Sequence, residues 1–370
     1  MQSILWRDAI QVKYDKLLTV QDRVAQEVVD GLALQLSPAE AKRINADKPA
    51  DTKAYEYYLR GVDLYSLNEF GNAVDMLEKS IALEPGYAPA WANLGRAYTT
   101  NASLQFGGQK QYAKARAAYE RAIALDPGLV EAQVYLANLL TDTGSAEQAV
   151  PLLREALRTD AKNAEAHWEL GYAYRFGGML EESVAEGEEA RRLDPEVKIN
   201  SSALNSYLYL GEYDKFLQSL PATNAVYTLF YRGLAEFYLN HVPQAENYFD
   251  RAYQLDPALL PSPIGKAMSE TLKHHASGAT ELLRQTETRI DEQGVRDPEV
   301  IYKLAQAYAV NGDGAAGLRV LRQSIEGGFF CYPYFAKDRL LNNLRAQPGF
   351  EPLMEEAQRR HDQFRARFSK

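Results

Sequence analysis

Apolar residues recur at helical spacing along nearly the whole chain, and their grouping predicts helices that come in pairs. Leu17, Val20, Val24, Val28 and Leu32 share one helical face. They predict one or two amphipathic helices over about Ile4 to Leu36. Ser37-Pro38 with Glu40 reads as the cap and first turn of a short helix. Ala46 to Asp51 reads as a polar linker. Beyond it, apolar bursts alternate with short polar turns. Pro85, Pro127, Pro195 and Pro257 each follow an acid, in the forms LEPG, LDPG, LDPE and LDPA. A proline cannot continue a helix, so each marks an end and a reset. The spacing is regular: Pro127 to Ala161 is 34 positions, and Ala161 to Pro195 another 34.

Within that period the same residue types return in order. Trp91, Leu94, Gly95, Tyr98, Ala115, Tyr119, Ala122 and Pro127 make one set. His167, Leu170, Gly171, Tyr174, Ser183, Ala190 and Pro195 make another, and Gly233, Ala245, Phe249, Ala252 and Pro257 a third. This order resembles the tetratricopeptide repeat. The resemblance implies an all-α solenoid of helix-turn-helix units in a right-handed superhelix, with an N-terminal amphipathic helix and C-terminal capping helices. Gly95 and Gly171 would sit where two helices approach closely, and Ala115, Ala149 and Ala245 would meet them from the second helix.

The expected organisation has three parts. Residues 1–50 form the N-terminal helical segment. Residues 51–328 form seven to eight repeats, at about 54–87, 88–129, 130–163, 164–197, 226–259 and 298–328, with degenerate units at 198–225 and 260–297. The first repeat carries Gly61, Ala73, Leu77 and Pro85. The second holds an insertion near Asn101 to Gln111, expected as a longer turn or an extended first helix with a loop. Residues 329–370 form an aromatic loop, FFCYPYF, and two capping helices near Arg339 to Arg345 and Phe350 to Arg367.

Composition narrows the function. The net charge of −9 argues against nucleic acid as a partner, because phosphate binding needs a concentrated positive surface. No run of about 18 apolar residues occurs, so no membrane span is expected. The N-terminus lacks the pattern of a secretory signal, which favours the cytoplasm for the chain as it stands. An extracytoplasmic place remains open if it belongs to a membrane-anchored parent. The single cysteine, Cys331, rules out an internal disulfide and reads as a buried thiol.

Phosphate loops, dinucleotide fingerprints, nucleophile elbows, zinc-helix motifs and kinase marks are all missing. No catalytic residue, cofactor or metal site is expected. His274 and His275 are adjacent, and on a helix they would point about 100° apart, a poor metal pair. His167 stands where the repeat usually has Trp, so packing is its expected role.

In such solenoids the first helix of each repeat lines the concave face. The resemblance therefore puts Tyr55, Tyr58, Val62 and Tyr65 on that face, then Arg96 and Thr99, then Glu131, Asn138 and Asp142. The fourth repeat offers Trp168, Tyr172, Arg175 and Phe176, the sixth Tyr227, Phe230, Phe237 and Tyr238. Tyr, Trp and Arg dominate binding hot spots, and the chain has 24 tyrosines. Trp168, Tyr172, Arg175 and Phe176 are thus the leading site, with packing against the degenerate fifth repeat as the alternative. Asn93 fits one position of the carboxylate clamp seen in some of these domains. Tyr58 and Val62 stand where Lys and Asn are needed, so chaperone-tail binding is not expected.

The two ends carry a second resemblance. Trp6, Tyr14, Leu18, Val20, Gln21, Asp22, Val24 and Ala25, then Ala54-Tyr55 and Leu59-Arg60-Gly61, resemble the region before the repeats in bacterial multidomain signalling proteins. Those include membrane-anchored serine/threonine kinases, adenylate cyclases and winged-helix regulators with a TolB-like domain. The stretch GGFFCYPYFAKDRLLNNLRAQPGFEPLMEEAQRRH resembles their usual ending. The resemblance implies a natural C-terminus and an N-terminus cut from, or evolved without, an effector domain. The leading expectation is a non-catalytic scaffold that binds a protein or peptide segment. A small-molecule or cell-wall-fragment sensor with a closed aromatic pocket is one alternative. Self-association through the N-terminal helix is another.

Overall fold

The computed structural model describes residues 49–104, 108–195, 204–221 and 223–369. The helices expected before residue 37 lie outside these, as do the middle of the insertion and the start of the fifth repeat. All regular structure among the described residues is helical, as the repeat pattern requires.

Sixteen helices form eight successive pairs. They are α1 Thr52–Ser66 and α2 Phe70–Leu83, α3 Ala88–Leu104 and α4 Gly108–Leu125, α5 Val130–Asp142 and α6 Ala146–Thr159, α7 Ala164–Phe176 and α8 Leu180–Leu193. Then come α9 Asn205–Leu210 and α10 Tyr213–Ser219, α11 Val226–Tyr238 and α12 Val242–Leu255, α13 Pro261–Leu272 and α14 Ala276–Gln293, α15 Pro298–Val310 and α16 Gly314–Glu326. A short helix α17 (Tyr332–Phe335), a 3₁₀ turn (Arg339–Leu344) and α18 (Phe350–Phe368) close the chain.

The turns inside the pairs follow one rule. Each of seven carries a residue in the left-handed region: Asn68, Gly144, Gly178, Gly211, Asn240, His274 and Gly312. Glycine and asparagine tolerate that region, which is why they sit there. His274 is the exception. His274 and His275 lie in the turn between α13 and α14, and His275 Nδ1 lies 3.0 Å from Glu270 Oε2.

A second rule concerns the start of the second, third and fourth repeats. Trp91 Nε1 donates to the Pro85 carbonyl at 3.0 Å. Gln133 Nε2 does the same to Pro127 at 2.8 Å, and His167 Nε2 lies 3.2 Å from the Ala161 carbonyl. The three side chains differ, yet each presents a nitrogen to the carbonyl six residues back. His167 therefore ties down its turn, with Nδ1 against Glu186 at 2.6 Å.

The chain divides into two compact units, residues 1–135 and 136–370. In the first, Gly61, Ala73, Leu77, Leu94, Gly95, Ala115 and Tyr119 fill the space between paired helices. The approach is close: a methyl group on Gly95 would lie 2.6 Å from the Tyr119 ring. Gly233 stands in the same relation to Phe249 in the second unit.

The second unit closes on itself. The turn at Gly144, in the third repeat, packs against the end of the eighth, where a side chain on Gly328 would collide with the Gly144 backbone. From α18, His361 Nδ1 lies 2.7 Å from the Gly177 carbonyl, and Phe364 covers Gly177. Arg154 on α6 reaches the carbonyl of Phe368. The terminal helix thus spans the seam between the last repeat and the third and fourth, burying Phe364 and Phe368.

Candidate functional site

The expected site residues fall into two sets, one in each unit, and they differ in what covers them.

In the first unit, Tyr55 and Tyr58 stack on α1 with ring centroids 6.1 Å apart, and Tyr87 stands edge-on to Tyr58 at 5.1 Å. Tyr55 is buried in this cluster, while Tyr58 and Tyr65 are partly exposed. Two turns further on, the Tyr65 hydroxyl and Thr100 Oγ1 share a hydrogen bond of 2.9 Å. The Arg96 guanidinium lies 4.4 Å from the Tyr65 ring and 5.3 Å from the Tyr135 ring. Such contacts fix the guanidinium between the two rings. The row Tyr58, Tyr65, Arg96, Tyr135 crosses the first helices of three successive repeats, α1, α3 and α5.

In the second unit the leading sequence-derived site is not open to solvent. Trp168, Tyr172, Arg175 and Phe176 are all buried. Trp168 packs on Leu204 and Tyr207 of the fifth repeat. Tyr172 donates to Asp142 Oδ1 at 2.7 Å, and Asn138 donates to Glu169 at 2.9 Å. Arg175, fully buried, donates to Glu299 Oε2 at 2.6 Å and lies 4.8 Å from the Tyr172 ring. Phe176 meets the Phe329 ring at 5.2 Å. In the sixth repeat, Phe230 lies in the core against Phe249, Tyr227 is 47% exposed, and Tyr238 is buried. Arg339 reaches the Phe237 carbonyl and places its guanidinium 5.8 Å from the Phe237 ring.

The cover is residues 329–338. Phe330 N donates to the Phe176 carbonyl at 3.1 Å. Phe329 enters a box of Phe176, Tyr209 and Tyr302. Tyr334 stacks on Tyr209, and Phe335 on Tyr302 at 4.6 Å. The Asp338 carboxylate accepts from Tyr238 at 2.7 Å, and from Tyr302 and the Gln306 amide at 2.6 Å each. Sequence reasoning missed Glu299, Lys303, Gln306 and Asp338. The type of FFCYPYF was visible, but not the face it covers, because long-range contacts leave no periodic signal.

Two electrostatic features stand out. Lys303 Nζ has no hydrogen-bond partner among the described residues. It faces four tyrosine rings, Tyr209 at 4.5 Å, Tyr334 at 5.2 Å, Tyr302 at 5.3 Å and Tyr231 at 5.8 Å. Burial pulls its pKa down to about 8, partly offset by Glu299 and Asp338. At the seam, Asp142, Asp297 and Glu299 lie close together, with Glu169 beside Asp142 and Arg175 paired with Glu299. Burial raises the Asp142 pKa to about 7; its hydrogen bond from Tyr172 opposes the rise, and Glu169 and Glu299 add to it. Burial, then Asp142 and Glu299, push Asp297 well above the usual carboxylate range.

Among the described residues, no cluster of three or more His, Cys, Asp or Glu could hold a metal. No described helix is long and apolar enough to cross a membrane.

Two tetratricopeptide-repeat family models match, over residues 58–130 and 108–170. Residues 58–170 are tetratricopeptide repeats. Proteins of this repeat family serve in general as interaction scaffolds. Cellulose synthase operon protein C of Escherichia coli K12 is 28% identical over 229 residues, covering 59% of this chain and 18% of that protein. A DnaJ homolog subfamily C member 7 homolog of Dictyostelium discoideum is 26% identical over 155 residues, 40% of this chain and 29% of that protein. The chain thus spans less than a third of these relatives' length. Among solved structures, the tetratricopeptide protein TTC0263 of Thermus thermophilus is 15% identical, covering 58% of this chain and 98% of that one, with a TM-score of 0.36. YrrB, described as having an unusual peptide-binding site, is 19% identical, covering 56% and 89%, with a TM-score of 0.32.

Proposed function

We propose that this repeat protein is a non-catalytic scaffold that holds a peptide or protein segment along the concave face of its first unit. The observation that carries this reading is the partly exposed row Tyr58, Tyr65, Arg96 and Tyr135. These are hot-spot residue types, pre-ordered by ring contacts, so little side-chain entropy is lost on binding. A closed small-molecule pocket at Trp168, Tyr172, Arg175 and Phe176 is disfavoured, because the chain's own side chains fill that space. The resemblance of the two ends to bacterial signalling proteins supports a role as a module of such a system.

The test compares the full chain with a Tyr58→Ala, Tyr65→Ala, Arg96→Ala variant as baits, each verified as folded by circular dichroism. A protein enriched by wild type is then purified and titrated against both. Loss of affinity of about tenfold or more in the variant supports the reading. Equal affinity places the partner elsewhere and overturns it.

A further inference from the structure

The interior of the second unit has the chemistry of an interface. Cores are built mainly from Leu, Ile, Val, Phe and Ala, whereas recognition surfaces favour Tyr and Arg. Around residues 329–338 stand Tyr209, Tyr238 and Tyr302, with Arg175, Lys303 and Gln306 beside them. These side chains come from α7, α9, α11 and α15, the first helices of four repeats. That is the face a repeat solenoid offers to a partner. The fully buried Lys303 ammonium makes no hydrogen bond among the described residues and faces four tyrosine rings, a further sign of a surface not built for dry packing.

The segment lies in this face as a bound peptide would. It has a main-chain hydrogen bond at Phe330, ring slots for Phe329, Tyr334 and Phe335, and three side-chain donors converging on the Asp338 carboxylate. The polar end sets selectivity. A purely apolar segment would leave the Tyr238, Tyr302 and Gln306 donors buried and unpaired, which is costly.

We propose that this face is a peptide-binding groove whose resident ligand is residues 329–338. It accepts in exchange a protein segment with aromatic residues and a carboxylate at the spacing of Phe329, Tyr334, Phe335 and Asp338. This goes beyond the reading of the first unit and does not depend on it. The resident segment has the advantage of its tether, which gives it a high effective concentration. A partner therefore competes only while the segment is transiently released.

Cys331 reports that release directly. It is the chain's one cysteine, fully buried, and burial raises its thiol pKa to about 12. The experiment measures thiol labelling of the native full-length chain against increasing amounts of a synthetic peptide of residues 328–340 with serine in place of Cys331. The expected result is a saturable rise in labelling of about tenfold or more, with helicity unchanged. The same peptide carrying Tyr334→Ala and Asp338→Ala should give no rise. Labelling that tracks global unfolding alone, whatever the peptide, overturns the proposal. So does an equal response to both peptides, or peptide binding that leaves Cys331 protected.

Discussion

Tyr334 lies flat on Tyr209, with ring centroids 4.0 Å apart and planes 9° from parallel. One ring belongs to the C-terminal segment and the other to the short fifth repeat, so this stack fastens the cover to that pair. The Tyr334 hydroxyl also meets Tyr238 at 2.8 Å and the Gln306 amide at 2.8 Å. Removing the ring by Tyr334→Ala should cost about 3–5 kcal/mol in the second unit, as for other large aromatic truncations. Tyr334→Phe keeps the stack, orphans the hydroxyl's partners and should cost about 1–3 kcal/mol. Urea denaturation of the two variants separates the contributions. Equal losses would mean that the ring stack contributes little.

The Arg175–Glu299 pair is fully desolvated, with the Tyr209 hydroxyl also donating to Glu299. Arg175→Ala leaves a carboxylate buried without its guanidinium and should cost about 3–5 kcal/mol. The double change Arg175→Met, Glu299→Leu should recover most of that loss. A double variant no more stable than Arg175→Ala would show that geometry, not charge, governs the site.

Gly328 holds a φ of +112° against the Gly144 backbone. Gly328→Ala meets both a strained backbone and a collision with main chain that cannot move aside. It should destabilise the second unit by about 2 kcal/mol or more, while the first unit melts as before. Limited proteolysis followed by mass spectrometry would show which unit is cut first. A variant as resistant as wild type would contradict the closed seam.

The seam carboxylates give a pH dependence. The Asp142 carboxyl has a folded pKa of about 7, above the ordinary value near 4 of the unfolded chain. The folded state thus holds a proton that the unfolded state releases. The stabilisation is complete below about pH 4 and declines as pH rises, until it is lost above about pH 7. Asp142→Asn cannot ionise, so its stability relative to wild type should grow across that range. A difference that stays flat from about pH 4 to pH 8 would refute the buried, protonated state.

The sequence made the helical pairs legible because period, prolines and small residues are local signals. Gly95, Tyr119, Gly233 and Phe249 could be placed from spacing alone. The expected groove residues were legible only as a list of residue types. Nothing near Arg175 in sequence announces Glu299, which comes from the eighth repeat. The burial of Trp168, Tyr172 and Phe176 depends on partners far along the chain, among them a segment whose aromatic content was plain but whose docking face was not. The turn at His274 is a further case: no glycine or asparagine marks its left-handed position between α13 and α14.

The seam also bears on when the second unit can exist. A linear array gains stability from each neighbour as it is added, and its early repeats can hold while later ones are still being made. Here His361 meets Gly177 across 184 residues of chain, and Gly144 waits for Gly328. Closure therefore pays a large loop entropy in one late step, and the third and fourth repeats stay uncovered until the last helix emerges. Chains shortened by even the final helix should be poor folders, however many intact repeats they keep.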